Sequence, residues 1–237
     1  MRPRFVQRLG PADVITVANA VVGFAAAAAA AAGDVALGAQ LMLLAAMGDG
    51  LDGVVARRYG GSPVGSYLDS LADVAAFGVA PALVVFVAVR QGWALEGFAL
   101  TAQHAAALAV PALFLAMVVV RLAFYTADQT DIEHTLGVPS TLSATLLGST
   151  VLAGHGTPTV LLVGGLGLSY LMIADLRYPD LLARDALLMG VVHGLAVAFP
   201  DVYGRGFPYA LLTLAIAYLV LGPRFYWRDW ADSGARA

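Results

Sequence analysis

Long apolar stretches alternate along this chain with short clusters of Gly, Pro and Asp. Eight stretches read as helices: about 14–32, 35–57, 66–89, 102–126, from 140 to near 154, 159–176, 180–199 and 207–221. The breaks carry turn chemistry: Gly33-Asp34, Gly60-Gly61-Ser62-Pro63, Gly137-Val138-Pro139, Gly154 to Pro158, Pro200-Asp201 and Gly222-Pro223. Several stretches approach the ~20 residues needed to cross a bilayer, whereas the fifth is short and is expected to be tilted or buried. The alanine tract Ala25–Ala32 reads as a closely packed helix, because small side chains let membrane helices approach one another.

Composition turns this pattern into a class. Of 237 residues, 60% are hydrophobic and 12% charged, against about 25% charged in soluble domains. With a mean hydropathy of +0.80, the expectation is an all-α, polytopic membrane bundle of about eight helices. There is no cysteine, which excludes disulfides and thiolate chemistry, and all thirteen basic residues are arginine. A net charge of −3 and the lack of a Lys/Arg-rich tract argue against nucleic-acid binding. No signal peptide is expected, since the apolar run after the basic N-terminus is too long for one.

Arginine also orients the chain. With eight spans and a cytoplasmic N-terminus, eleven of the thirteen arginines fall on the cytoplasmic side, leaving only Arg90 and Arg205 outside. Both termini are then cytoplasmic. Residues 1–13 read as an interfacial segment, with Phe5, Val6 and Leu9 toward lipid and Arg2, Arg4 and Arg8 toward anionic headgroups. Trp93, Trp227 and Trp230 fall near predicted interfaces.

Four aspartates interrupt the second and third apolar stretches: Asp49, Asp52, Asp69 and Asp73. An ionised carboxylate near the bilayer centre costs roughly 2.5–3.5 kcal/mol, so such groups are functional by default. Asp49 and Asp52 are three apart, and Asp69 and Asp73 four apart, which on helices puts each pair on one face. The turn at Gly60–Pro63 brings the two helices together, so the four carboxylates are expected to converge near the cytoplasmic face. Oxygen-only ligands suit Mg²⁺ or Mn²⁺. Two ions about 4 Å apart would polarise a phosphoryl group and stabilise its attacking and leaving oxygens. Gly53, Ala56 and Gly65 leave room for a bulky polar ligand, and Arg57 supplies a fixed positive charge.

The run Asp49-x2-Asp52-Gly53-x2-Ala56-Arg57, followed by Gly65-x3-Asp69-x3-Asp73, resembles the signature of the CDP-alcohol phosphotransferase family. One difference stands out: seven residues, where the family has eight, separate Arg57 from Gly65. The resemblance implies a six-helix core over residues 1–180, with two additional helices and a short tail in 181–237. It implies two metal ions held by Asp49, Asp52, Asp69 and Asp73, Asp73 as general base, and a homodimer. It further implies transfer of a phosphatidyl-type group from a CDP-lipid to an alcohol, with release of CMP. The segments Asp69–Pro81, Leu136-Gly137-Val138-Pro139-Ser140, Leu176-Arg177-Tyr178-Pro179 and Thr16-Val17-Ala18-Asn19 are similar to the membrane-embedded phosphatidylserine synthase branch, and the absence of lysine and the loop shape resemble its haloarchaeal versions, which use archaeol lipids. That similarity implies L-serine as acceptor. Where relatives tend to read Arg-Leu-Ala-Arg-Phe-Asn, this chain has Arg121-Leu122-Ala123-Phe124-Tyr125-Thr126.

Other polar residues admit two readings each. Arg121 and Arg177 could bind a carboxylate or phosphate, or anchor topology. Asn19 could touch the nucleotide or a neighbouring helix, and Ser66 could touch the substrate or cap a helix. Asp128, Asp131, Glu133 and His134 read as a solvated loop, and His104, His155 and His193 as structural. Competing functions are the same chemistry with glycerol 3-phosphate or inositol phosphate, an intramembrane prenyltransferase, and an ion or proton transporter. The prenyltransferase acid pattern is absent, and the acids are bunched rather than spread across the bilayer.

Overall fold

A computed structural model describes residues 8–127, 134–179 and 183–225. Among these, the eight apolar stretches form eight helices: α1 (Pro11–Ala31), α2 (Val35–Tyr59), α3 (Gly65–Gly92), α4 (Ala102–Ala127), α5 (Ser140–Leu152), α6 (Pro158–Met172), α7 (Ala183–Ala198) and α8 (Gly206–Phe225). Five of them, α1 to α4 and α8, are long and apolar enough to cross a membrane. Their outer faces carry large exposed apolar side chains, such as Phe24 at 72% and Val220 at 63% exposure. Water would not tolerate a surface of that kind, but lipid does. The protein is a multi-pass membrane bundle.

Local chemistry sets the helix ends. Gly33 turns the chain with φ +97°, and Asp34 caps α2 by accepting the Leu37 N–H at 2.9 Å. Gly60, at φ +85°, ends α2. Asp13, in the first turn of α1, accepts the Gly10 N–H at 2.7 Å, which is the returning half of a capping box.

The third helix departs from the single regular helix read from sequence. Its first part, Gly65–Asp73, is α-helical, then Val74–Val79 widens into a π turn before Ala80–Gly92 resumes as α-helix. Pro81 gives a physical cause. Proline has no N–H for the carbonyl four residues back, and its ring collides with that carbonyl in a regular helix. A wider turn relieves both conflicts. The π turn is also gripped from outside: a Cβ on Gly23 of α1 would lie 2.6 Å from Ala76 Cα, and one on Gly78 would lie 2.9 Å from Leu115 of α4.

Small residues permit the close packing of α1, α2 and α3. Ala26, Ala27, Met42, Ala45, Ala76, Phe77 and Ala80 form one buried cluster, joined by Ala144 of α5. The inward half of the alanine tract therefore packs as expected, with Ala26 and Ala30 fully buried. A larger core, with Val85, Val89, Phe114, Val118, Leu147, Leu161 and Met172, joins α3, α4, α5 and α6.

The short fifth helix is buried rather than lipid-facing. Its 13 residues span roughly 20 Å, too little for a bilayer core of about 30 Å. It packs on α2 and α8, and its residues Leu142–Ser149 are buried. The C-terminal pair closes this side: α7 and α8 pack on each other, and Ala196 and Leu211 share a core with Ala39, Leu43 and Leu152. Buried His193 of α7 hydrogen-bonds Thr145 Oγ1 (3.2 Å) and the Met189 carbonyl (2.9 Å), so both ring nitrogens are satisfied and its role is structural.

A feature absent from the sequence reading is a two-stranded antiparallel ribbon, β1 (His134–Leu136) with β2 (Arg177–Pro179). It also shortens the sixth helix, which ends at Met172 rather than at 176. The Val138 and Gly137 amides donate to the carbonyls of Leu171 (3.0 Å) and Leu176 (2.7 Å), taking acceptors that a longer helix would use. Gly137 adopts φ +72°, and a Cβ there would collide with the Met172 carbonyl. Asp128, Asp131, Glu133, residues 1–7, Trp227 and Trp230 lie outside the described residues.

The contact between α1 and the π turn predicts a position-specific stability loss. Gly23→Val should destabilise the protein by about 1–3 kcal/mol through overpacking. Gly164→Ala, at an α6 position with open space around it, should leave the melting temperature in detergent unchanged or raised.

Candidate metal-carboxylate site

The α2–α3 hairpin brings the acids together. One carboxylate oxygen each from Asp49, Asp69 and Asp73 lies within 4.8 Å of the others. Asp49 and Asp69 are half-buried and Asp73 is buried at 7% exposure. The fourth acid stands beside this group without joining it. Asp52, 5% exposed, turns toward α1, and its Oδ2 accepts the Thr16 hydroxyl at 2.7 Å. It remains close enough to act electrostatically on the other three.

Thr141, in the first turn of α5, donates to Asp49 Oδ2 at 3.0 Å. Asp73 Oδ1 is buried and has no hydrogen-bond partner among the described residues. A buried anionic oxygen left so is costly, about 1–3 kcal/mol or more, unless a ligand completes it. Three converging oxygen donors and one orphaned carboxylate oxygen fit a hard divalent cation of the Mg²⁺ or Mn²⁺ kind.

Arg121 of α4 is the basic group that acts on Asp73. Its guanidinium lies over the Tyr125 ring, 5.7 Å from the centroid, and its Nε is buried with no hydrogen-bond partner among the described residues. Close by, the Ser70 and Thr126 hydroxyls hydrogen-bond each other and fasten α3 to α4.

The remaining candidates spread around the acids. Arg57 is exposed and lies back along its helix, with Nη1 3.4 Å from the Cβ position of Gly53. Ala56 is half-buried. A Cβ on Gly65 would approach Asp13 Oδ1 to 3.3 Å, so this glycine lets α3 begin against α1. Ser66 is half-buried inside α3 and is not its cap, a position held by Val64. Asn19 is buried, with its amide oxygen against Gly48 of α2, where a Cβ would sit 2.9 Å away. Arg177 is an exposed strand residue paired with Leu136. Sequence reasoning missed Thr141, the hydroxyl bond of Thr16 and buried Asp13. Threonines within apolar helices give little signal, since they commonly bond their own backbone.

A helical membrane bundle with an acidic nest at the junction of its second and third helices defines a class of membrane-embedded transferase. Residues 10–192 match the model of the CDP-alcohol phosphatidyltransferase family, and the chain belongs to that family. It is 29% identical over 170 residues to the archaetidylserine synthase of Methanothermobacter thermautotrophicus, covering 70% of this chain and 68% of that protein. It is 34% identical over 142 residues to a CDP-diacylglycerol–serine O-phosphatidyltransferase of Helicobacter pylori, covering 56% of each chain. The enzyme of that name from Bacillus subtilis is 29% identical over 134 residues, or 55% of this chain and 68% of that one.

Crowded carboxylates give a sign-reversing test. In EDTA, Asp69→Asn should melt at or above the wild-type temperature, because one repelling charge is gone. With Mn²⁺ added, the wild-type protein should gain thermal stability and Asp69→Asn should gain little. Equal Mn²⁺ gains in both proteins would remove Asp69 from the ligand set.

Proposed function

We propose that the protein transfers a phosphatidyl-type group from a CDP-lipid, archaeol- or diacylglycerol-based, to the hydroxyl of L-serine and releases CMP. The observation that carries this reading is the convergence of Asp49, Asp69 and Asp73 around an unpartnered carboxylate oxygen of Asp73, with Arg121 beside it. The names of the similar proteins point to the same donor class and acceptor.

Asp49, Asp69 and Asp73, with Asp52 at their edge, would hold divalent metal; the ions would neutralise the donor diphosphate and stabilise charge on the attacking and leaving oxygens. Asp73 is assigned as the general base. The serine hydroxyl oxygen bonds to the lipid-side phosphorus, its proton passes to the Asp73 carboxylate, and the bond from that phosphorus to the bridging oxygen breaks as CMP departs. Arg121 is assigned to the serine carboxylate. Its fork of donors matches a carboxylate in two parallel bonds, and its buried Nε has no protein partner. Asn19, Gly53, Ala56, Arg57, Gly65 and Ser66 are assigned to the donor side, and Arg177 to the rim. The arginine asymmetry supports a site at the cytoplasmic face. The six helices α1–α6 form the core of the enzyme, and α7 and α8 are additions to it.

Purified protein offered CDP-archaeol or CDP-diacylglycerol with Mn²⁺ should release CMP with serine, and not with inositol phosphate or glycerol 3-phosphate. CMP release only with a phosphorylated acceptor would overturn the serine assignment. Asp73→Asn should abolish turnover while leaving metal-dependent CDP-lipid binding largely intact. Arg121→Lys should raise the KM for serine by about 10–100-fold, equivalent to about 1.4–2.7 kcal/mol, and change kcat less. A kcat loss without a KM change would place Arg121 on the donor side instead.

A further inference from the structure

We propose that Thr141 is a positioning residue whose hydroxyl fixes Asp49 in the orientation that a divalent cation requires, while Thr16 holds Asp52, the second α2 carboxylate, beside that group. This rests on the metal-binding reading above. A carboxylate's terminal torsion is broad and roughly two-fold, so the α2 backbone alone does not decide where the oxygens point. Mutual repulsion among four nearby acids would splay them toward different rotamers.

Two hydroxyls, from different helices that pack on α2, oppose this. Thr141 comes from α5 and donates to Asp49 Oδ2 at 3.0 Å, a link across 92 residues of sequence. Thr16 comes from α1 and donates to Asp52 Oδ2 at 2.7 Å, across 36 residues. The Thr16 hydroxyl also lies 3.2 Å from the Ala12 carbonyl. It has one proton to give, and the shorter distance and negative charge of Asp52 make the carboxylate the better acceptor. In both pairs the hydroxyl meets Oδ2, which leaves Oδ1 without that restraint. Threonine suits the task because its branched Cβ restricts χ1, so that the hydroxyl is held in place rather than swinging.

Hydrogen-bonded partners behind metal ligands typically contribute 10–100-fold to metal affinity. Free Mn²⁺ measured by electron paramagnetic resonance, on purified protein without substrate, gives a readout independent of turnover. Thr141→Val keeps the side-chain shape and removes the hydroxyl. It should weaken Mn²⁺ binding about 10-fold at unchanged melting temperature in EDTA, and Thr141→Ser should bind like the wild type. In an Asp49→Asn background, Thr141→Val should have no further effect. Should Thr141→Val not fold, Thr141→Ala against Thr141→Ser decides on the same readout. Wild-type-like Mn²⁺ binding in a folded valine variant overturns the proposal while leaving the metal site standing. No Mn²⁺ binding by the wild-type protein overturns the metal reading itself, and this proposal with it.

Discussion

Like charges held together where water is scarce are the constraint around which this molecule is arranged. Oxygens of Asp49, Asp69 and Asp73 lie within 4.8 Å of one another, with Asp52 nearby. Two unit charges 4 Å apart repel by about 1 kcal/mol in water and by about 4 kcal/mol at the effective dielectric of a protein. Arg121 brings one positive charge to this group, and Arg57 points along the exposed side of α2. The balance is therefore unfavourable until cations enter. Apolar packing elsewhere must be stiff enough to hold the arrangement meanwhile.

That stiffness comes from close backbone approach. Gly23 admits the π turn at Ala76, Gly48 admits Asn19, and Gly65 admits Asp13. Each contact draws α1 against the α2–α3 hairpin, so the pair of acids on each of these helices cannot drift from the other. The π turn has a second consequence. One extra residue in a helix rotates everything beyond it by about 100° relative to a regular helix. Beyond Asp69 and Asp73, Phe77 packs with Met42 and Ala45 and Val84 approaches Gly38, so α3 stays against α2 through and past the π turn.

The spans and the acids were legible because their signals are strong and local. Eight apolar runs separated by glycine and proline clusters gave eight helices, with most ends within a few residues of those observed. What sequence did not reveal depends on partners far along the chain. Pro81 was visible, but only the contacts of Gly23 and Gly78 make a π turn rather than a kink intelligible. The β1–β2 ribbon joins residues 134–136 to 177–179 through segments too short to carry an alternating pattern. Asp52 illustrates the same limit within the site. Spacing puts it on one face with Asp49, yet Thr16, 36 residues earlier, draws it toward α1.

Helix α5 ties the parts together and gives the last two helices a physical role. It is too short to cross the bilayer and carries Thr141, Thr145 and Ser149 at four-residue intervals, a polar stripe that lipid would penalise. The stripe is absorbed within the protein: Thr141 bonds Asp49, Thr145 meets His193, and Ser149 bonds the Thr145 carbonyl. Helix α7 supplies His193 and also accepts a bond from Gln40 of α2 at 2.9 Å, through the Val197 carbonyl. The C-terminal helices thus shield the helix whose first turn touches the acids and brace the helix that carries two of them. Removing them would expose that stripe to lipid and loosen α2 and α5 together, so they are structural supports of the site.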